Sequence, residues 1–342
     1  MNNQNNQTKN AQLVDKSTRF NIDFMGKRRI YYAISMTLIV LGILVSAIFT
    51  VKLDITFKGG AIIKYPYTGT VDKDTIQGIA KKVLNADVSV ELAKGSGNST
   101  NQIVIETDKA IKKGINITQM DALSAQLTAQ YPNSGIANPE TNNVDPAMGK
   151  QFLIKSIMEV LLASFLIIIY VWFRFRKIGG LPAGITAFIA LLHDVVIVFA
   201  AFSIFRIPIN ENFIAVVLLV LGYSINDTIV VYDRIRENRT IFGNKMHFRD
   251  IVNKSINQSF VRSINTTLVT FVSITVVLVF SIIFHIDSIF SFALPMMVGV
   301  VTGCYSTICI AGPLWVTWVE YKEKKNPPKN AAKRLTPKRA NP

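Results

Sequence analysis

The stretch Ile30–Val51, IYYAISMTLIVLGILVSAIFTV, runs for 22 residues without a charge. At about 1.5 Å of rise per residue, a helix of that length covers about 33 Å, enough to cross the hydrocarbon core of a bilayer. It is too long for the apolar part of a signal peptide and ends without a small-x-small cleavage site, so it reads as a retained anchor. Further apolar runs follow at Leu153–Phe173, Leu181–Phe205, Phe213–Tyr232, Ile264–Phe284 and Ser288–Val319. The last is overlong, and Pro295 is expected to separate an interfacial turn from the helix proper. Composition points the same way: half of the 342 residues are hydrophobic and only 17% are charged, which does not describe a soluble domain. The fold class expected is a polytopic α-helical membrane protein with six transmembrane helices.

The net charge of +15 is unevenly spread. Residues 52–150 hold 11 Lys against 10 Asp and Glu, while the other 26 basic residues lie in residues 1–29, between apolar runs and at the C-terminal end. A nucleic-acid stripe needs its basic groups on one water-facing surface, so no nucleic acid is expected as a partner, whereas membrane lipid is. The tail 1–29 has six Lys and Arg, Arg174–Gly180 three, the basic loop 233–262 seven, and the tail 320–342 eight; the short connections Arg206–Asn212 and His285–Asp287 have one between them. The positive-inside rule then places both termini in the cytoplasm and the long segment 52–150 outside. Trp172, Trp315 and Trp318 fall near proposed span ends, where amphipathic rings belong. Both cysteines, Cys304 and Cys309, lie in one apolar run, so no disulfide framework is implied.

The outside segment has its own periodicity. Ala61–Tyr65, Asp87–Leu92 and Gln102–Thr107 read as strands, and Asp72–Leu84 and Thr118–Gln130 carry helical spacing. Thr118 with Asp121 is a capping-box start, and Gly95–Asn101 a hairpin-type turn. The order strand, helix, strand, strand, helix predicts a small extracytoplasmic α+β domain of ferredoxin-like type.

Two carboxylates fall inside spans: Asp194 after His193 in the third, and Asp227 after Asn226 in the fourth. An ionised side chain in hydrocarbon costs about 2.5–3.5 kcal/mol or more, so each must face other helices, water or a partner. Each is either a neutral, hydrogen-bonded packing residue or an ion-carrying group. Asp227 lies six residues before Asp233, about 9 Å inside, within reach of an Arg262 side chain opening the fifth span. Asp194 is 13 residues from Leu181, about 20 Å from the same face, which offsets the two carboxylates by about 11 Å. Tyr223, Ser224, Asn226, Thr228, Thr266, Thr267 and Thr270 supply polar groups between them, unless each back-bonds to its own helix. His193 lacks a second ligand at metal spacing and reads as structural. Gly299 and Gly303 form a GxxxG helix-packing device in the sixth span.

The run Gly222-Tyr-Ser-Ile-Asn-Asp-Thr-Ile-Val-Val-Tyr-Asp-Arg-Ile-Arg-Glu-Asn238 closely resembles the fourth-span signature of the SecF family, bacterial protein-export membrane proteins of the RND superfamily. Leu191-Leu-His-Asp194, Val261-Arg-Ser-Ile-Asn-Thr-Thr267, Gly299-Val-Val-Thr-Gly-Cys-Tyr-Ser-Thr307 with Pro313, and Phe57-Lys-Gly-Gly60 extend the resemblance from about Phe20 to Val319. The family's usual Asp-Phe-x-Gly-Gly appears here as Thr56-Phe-Lys-Gly-Gly60, and its usual Ser-Arg-Thr as Val261-Arg262-Ser263.

The resemblance implies an RND-like half unit in the bacterial plasma membrane, associated with SecD beside the SecYEG channel and with YajC as a further partner. Its role would be to use the proton or sodium motive force to draw an unfolded translocating polypeptide outward after the ATPase SecA has pushed it in. Asp227 then looks like the ion-carrying carboxylate and Arg262 like its charged partner, with Asp194, Asn226 and Tyr223 in the same ion-coupling set; no cofactor beyond the coupling ion H+ or Na+ and no enzymatic activity are implied. Burial disfavours an ionised carboxylate and a nearby guanidinium favours it, so a movable Arg262 would switch the ion affinity of Asp227. Three other readings stay open: a subunit of an RND-type small-molecule exporter, an intramembrane aspartyl protease, and a scaffold that only stabilises its partner. The protease needs two carboxyls at one depth and a Gly-x-Gly-Asp motif, which the sequence lacks.

Overall fold

The computed structural model of the chain describes residues 21–325 apart from 50, 94–100, 108–114, 137, 145, 177–178, 244 and 285. Most of the N-terminal tail, the turn Gly95–Asn101 but for Asn101 itself, and most of the C-terminal tail lie outside the described residues. In chain order the elements are helix α1 (Arg28–Phe49), a one-turn helix α2 (Ile55–Lys58), β1 (Gly60–Tyr67), α3 (Lys73–Leu84), β2 (Val88–Ala93), β3 (Asn101–Thr107), α4 (Ile117–Gln130) and β4 (Glu140–Val144). There follow α5 (Pro146–Arg174), α6 (Gly180–Ile204), α7 (Glu211–Phe242), α8 (Phe248–Ile283), α9 (Asp287–Ser306), a wide π-type turn over Thr307–Ala311, and α10 (Gly312–Lys325).

Among the described residues, six helical stretches are long and apolar enough to cross a membrane: α1, α5, α6, α7, α8 and the run from α9 through α10. They divide into a centre and a periphery. The spans of α6, α7 and α9–α10 are 56%, 50% and 72% buried within the chain, against 11%, 6% and 11% for α1, α5 and α8. Helices in lipid gain little from the hydrophobic effect between them and pack through small residues instead. The centre shows this: a Cβ on Gly299 would come within 2.3 Å of Val220 Cγ2, and one on Gly303 within 3.1 Å of Ser224 Cβ. A Cβ on Gly42 of α1 would lie 2.7 Å from Ala200 Cβ of α6.

Several elements differ from the expectations. The segment 233–262, expected as a basic loop with a charged amphipathic helix in part of it, is almost wholly helical, because α7 runs on to Phe242 and α8 begins at Phe248. Both extensions are polar and carry their own ties: Asn238 Nδ2 donates to Ser255 Oγ and Gln258 Oε1, both at 2.8 Å. Pro295 does not separate a turn from the helix. It lies buried inside α9, and the break falls later, at Thr307–Ala311. Neighbouring helices and side-chain donors tolerate a proline inside a membrane helix in this way. Trp315 is fully buried against Tyr232 and Phe248, so it serves the core, while Trp172 and Trp318 are exposed.

The segment after α1 folds as β-α-β-β-α-β, with an antiparallel sheet in the order β2-β3-β1-β4. That is the ferredoxin-like arrangement. Its core forms where the inward residues of β1 and β3 (Ile63, Tyr65, Ile103, Ile105) meet Ile76, Leu123 and Leu127 of the helices. The fourth strand, ETNNV, has almost no apolar alternation and is specified by pairing with β1, Gly60 opposite Val144 and Lys64 opposite Glu140. The capping box of α4 falls at Asn116 and Gln119, not Thr118 and Asp121: the Asn116 N–H donates to Gln119 Oε1 at 3.2 Å.

The domain is rooted at two points. Phe57 stacks on Phe152 of α5 with ring centroids 5.6 Å apart, and a Cβ on Gly149 would lie 2.8 Å from Gly59 N, so only glycine fits there. Residues 52–54 pair with the α6–α7 connection: Asp54 N donates to Ile209 O at 3.0 Å, and Ile209 N to Lys52 O at 2.8 Å. At the other end of the bundle, Asn253 and Asn257 of α8 clasp the chain before α1. Ile22 N donates to Asn257 Oδ1 at 2.8 Å and Phe24 N to Asn253 Oδ1 at 2.9 Å.

The glycine contacts generate a paired prediction. Gly299→Leu forces Val220, which is β-branched and stiff in a helix, out of place, and is expected to cost about 1–3 kcal/mol. Gly222 has nothing within 4 Å of a built Cβ, so Gly222→Ala is expected to leave the isolated chain unchanged or slightly stabilised. Thermal unfolding in detergent, followed by intrinsic fluorescence, separates the two.

Candidate functional site

A polar seam runs between α6, α7 and α9, and Asp194 sits at its centre with no exposed surface. Its Oδ2 accepts from Ser224 Oγ of α7 and Ser306 Oγ of α9, each at 2.7 Å, and its Oδ1 lies 3.1 Å from His193 Nδ1. One carboxylate thus joins three helices. The seam continues through Thr228 Oγ1, 2.9 Å from Thr307 Oγ1 and donating to Ser224 O at 3.0 Å. It ends at Tyr232 OH, 3.0 Å from Thr186 Oγ1. The close approach at Gly303 brings Ser224 and Ser306 onto the same oxygen.

Asp227, one turn further along α7, faces α8. Its Oδ1 accepts from Ser263 Oγ at 2.6 Å, while its Oδ2 is buried and has no hydrogen-bond partner among the described residues. Arg262 makes no hydrogen bond or ion pair with it, although its charge lies near enough to be felt there. Arg262 and Ser263 are adjacent on α8 but point apart: Ser263 is buried, whereas Arg262 is exposed and lines an outward cleft of about 480 Å³ with Asp233, Arg234 and Arg236. Tyr223 OH donates to Thr267 Oγ1 at 3.1 Å, another polar link from α7 to α8. Asn226 is exposed on the outer face of α7 and joins neither carboxylate. Thr266 and Thr270 donate to carbonyls of their own helix, Arg262 O and Thr266 O, at 2.9 Å.

The depth expected for Asp194 needs correction. Thr186 meets Tyr232 and Asp194 meets Ser224, so the antiparallel register of α6 on α7 sets Leu181 beyond Asp233 rather than level with it. Asp194 therefore sits at the level of Ser224, three residues from Asp227, which is about 4.5 Å along the axis and not 11 Å. The two carboxylates share no hydrogen bond. Sequence reasoning missed Ser306 and Ser263. The first had a signal: Gly299, Gly303 and Ser306 recur at the spacing of one helix face. His193 lies against Asp194, and among the described residues no group of three His, Cys, Asp or Glu could hold a metal ion. Cys304 and Cys309 are free and buried.

Six apolar helices, a buried polar seam and a ferredoxin-like domain after the first helix define a multi-pass membrane protein of RND-like architecture. Residues 123–321 match the family described as protein export membrane protein SecD/SecF, C-terminal. The chain is 30% identical over 314 residues to the protein translocase subunit SecF of Sebaldella termitidis, covering 91% of this chain and 96% of that protein. It is 31% identical over 309 residues to the protein translocase subunit SecDF of Bacillus subtilis, covering 89% of this chain and 39% of that longer protein. The crystal structure of SecDF from Thermus thermophilus, a translocon-associated membrane protein, superposes with a TM-score of 0.73 at 26% identity, covering 89% of this chain and 39% of that one. The chain belongs to the SecD/SecF family of protein-export membrane proteins.

The geometry around Asp194 predicts the effect of removing it. Asp194→Ala strands two buried hydroxyls and is expected to destabilise by about 2–4 kcal/mol, whereas Asp194→Asn keeps an acceptor oxygen and is expected to lose less than half of that. Equal losses in thermal unfolding would show that retaining an acceptor oxygen opposite Ser224 and Ser306 contributes nothing.

Proposed function

We propose that this chain is an accessory subunit of the bacterial Sec translocase that, together with SecD beside the SecYEG channel, uses the proton or sodium motive force to promote the late export of secreted chains. Both termini then lie in the cytoplasm and the ferredoxin-like domain outside the plasma membrane. The observation that carries this reading is Asp227: a carboxylate inside a span, with one oxygen held by Ser263 and the other buried without a donor. That second oxygen is where a proton or sodium ion would be held. The family relationship supports the translocase assignment, and the fusion of the related region into SecDF in other bacteria supports SecD as partner.

Arg262 enters this mechanism as an alternative neighbour of Asp227. Consecutive helix residues are separated by about 100°, so a rotation of α8 by one residue's arc would exchange Ser263 for Arg262 at Asp227. An ion on Asp227 favours the serine arrangement and its loss favours the guanidinium, which gives two states biased by the gradient. Each charge crossing supplies about 2.3 kcal/mol per 100 mV, comparable with the 1–3 kcal/mol of ordinary allosteric coupling. Motion of α7 reaches the outer domain through Ile209, which pairs with residues 52–54 immediately before it. Asp194, with both oxygens engaged, suits a tie between helices better than a carrier.

Export into inverted vesicles carrying this chain with its SecD partner tests the reading. At equal protein levels, Asp227→Asn is expected to abolish the gradient-dependent part of export while leaving the ATP-driven part. Full gradient-dependent export by the variant would leave Asp227 a packing residue and the chain a scaffold.

A further inference from the structure

At the end of the bundle away from the ferredoxin-like domain, α5 and α7 enclose a cleft of about 870 Å³. Four guanidiniums line it: Arg174 at the end of α5, Arg176 two residues further on, and Arg236 and Arg239 from the extension of α7. Asp233 brackets two of them, lying 2.9 Å from Arg174 Nη2 and 3.0 Å from Arg236 Nη2. Arg239 lies over the Phe248 ring, 5.3 Å from its centroid. The lining carboxylate, Glu237, is already paired with Arg234 at 2.5 Å. The rest of the lining is the apolar pair Phe173 and Ile241, with Thr240, whose hydroxyl donates to Arg236 O of its own helix at 3.0 Å.

The position of the cleft matches its chemistry. It opens where the apolar span of α5 ends in exposed Trp172 and Phe173, the level at which aromatic rings meet headgroups. The outer face of α5 leading to it is bare: Phe165, Leu166 and Ile169 are all exposed. Charge-directed orientation needs only positive charge, and the basic end of α10 supplies it as Lys322, Lys324 and Lys325. Orientation gives no reason for guanidiniums from two helices to be fixed around one space. Guanidiniums bind phosphate oxygens through paired N–H donors, and basic pockets between membrane helices take acidic headgroups. A soluble phosphate would gain nothing from Phe173 and Ile241, whereas acyl chains would.

We propose that this cleft binds the phosphate of an anionic phospholipid, whose acyl chains run along the outer face of α5. The proposal is independent of ion coupling at Asp227 and requires only that the six helices span a bilayer.

Native mass spectrometry of the full-length chain in detergent, titrated with phosphatidylglycerol or phosphatidylcholine, tests it. Wild type is expected to retain phosphatidylglycerol in preference to phosphatidylcholine. The double variant Arg176→Gln/Arg236→Gln, which leaves Arg174 to pair with Asp233, is expected to weaken phosphatidylglycerol binding roughly thirtyfold, at about fivefold for each basic residue near the surface. Lys322→Gln/Lys324→Gln removes the same charge elsewhere and is expected to change binding less than threefold. Arg176→Gln alone breaks no ion pair among the described residues, so a partial loss in that variant, with thermal stability unchanged, separates lost binding from misfolding. Equal retention by wild type and the arginine double variant, an equal loss in the lysine variant, or displacement of the lipid by millimolar inorganic phosphate would each overturn the proposal.

Discussion

A carboxyl group enclosed among apolar helices has no water to solvate it, and Asp194 meets that constraint with neighbours on its own helix and on two others. Ser224 and Ser306 both donate to one oxygen, and His193 lies against the other. This convergence fixes much else. It sets α6 against α7 in the register that also pairs Thr186 with Tyr232, and it requires α9 to approach α7 closely enough for two serines to share an acceptor. Gly299 and Gly303 permit that approach, since any larger residue would push α9 off Val220 and Ser224. Polar contact and small-residue packing thus support one another. Neither alone would hold three helices in a solvent as apolar as their own side chains.

The second carboxylate sits in a different balance. Asp227 lies at the seam between the buried centre and α8, one of the three peripheral spans, and has a single donor. A saturated carboxylate tolerates little change in its surroundings, whereas a half-satisfied one gains from a further proton, ion or guanidinium. The chain therefore holds two intramembrane aspartates of unlike character one turn apart. The difference arises from what faces them, two central helices for Asp194 and a peripheral one for Asp227. In the proposed mechanism that contrast assigns holding to the first and switching to the second.

Much of this was legible in the sequence, and the reasons for the remainder are physical. Uninterrupted apolar runs gave the six helices, because a bilayer imposes length and composition directly. The ferredoxin-like domain was recoverable from its alternating strands, but β4 was not: ETNNV carries no apolar pattern and takes its strand form from the partner β1. Asp194 and Asp227 stood out by charge alone. Their relative depth did not, since it depends on how α6 slides along α7, and hydropathy has no information on register. Arg262 was identified as the neighbour of Asp227 because it is charged and lies at the right depth. The facing residue is instead Ser263, and one residue of helix phase separates the two readings.

The same phase governs what can move. Within its span α8 meets the centre through Ser263 to Asp227, Tyr223 to Thr267 and Thr275 to Met297 Sδ, so a rotation of α8 would exchange each of these contacts. Its extension, however, is bound to the chain ahead of α1, where Asn253 and Asn257 hold the backbone of Ile22 and Phe24. Turning α8 would therefore load α1, and the far end of α1 leads within a few residues to the Lys52–Asp54 pairing with Ile209 and to Phe57 packed on Phe152. α7, which carries Asp227, reaches the same pairing through the connection before Glu211. Two routes, one around the periphery and one through the centre, meet at the root of the ferredoxin-like domain. In the proposed mechanism a change in neighbour at Asp227 would act on both, so the domain would stay still if α7 and α8 moved together and would tilt if α8 turned against a centre held by Asp194.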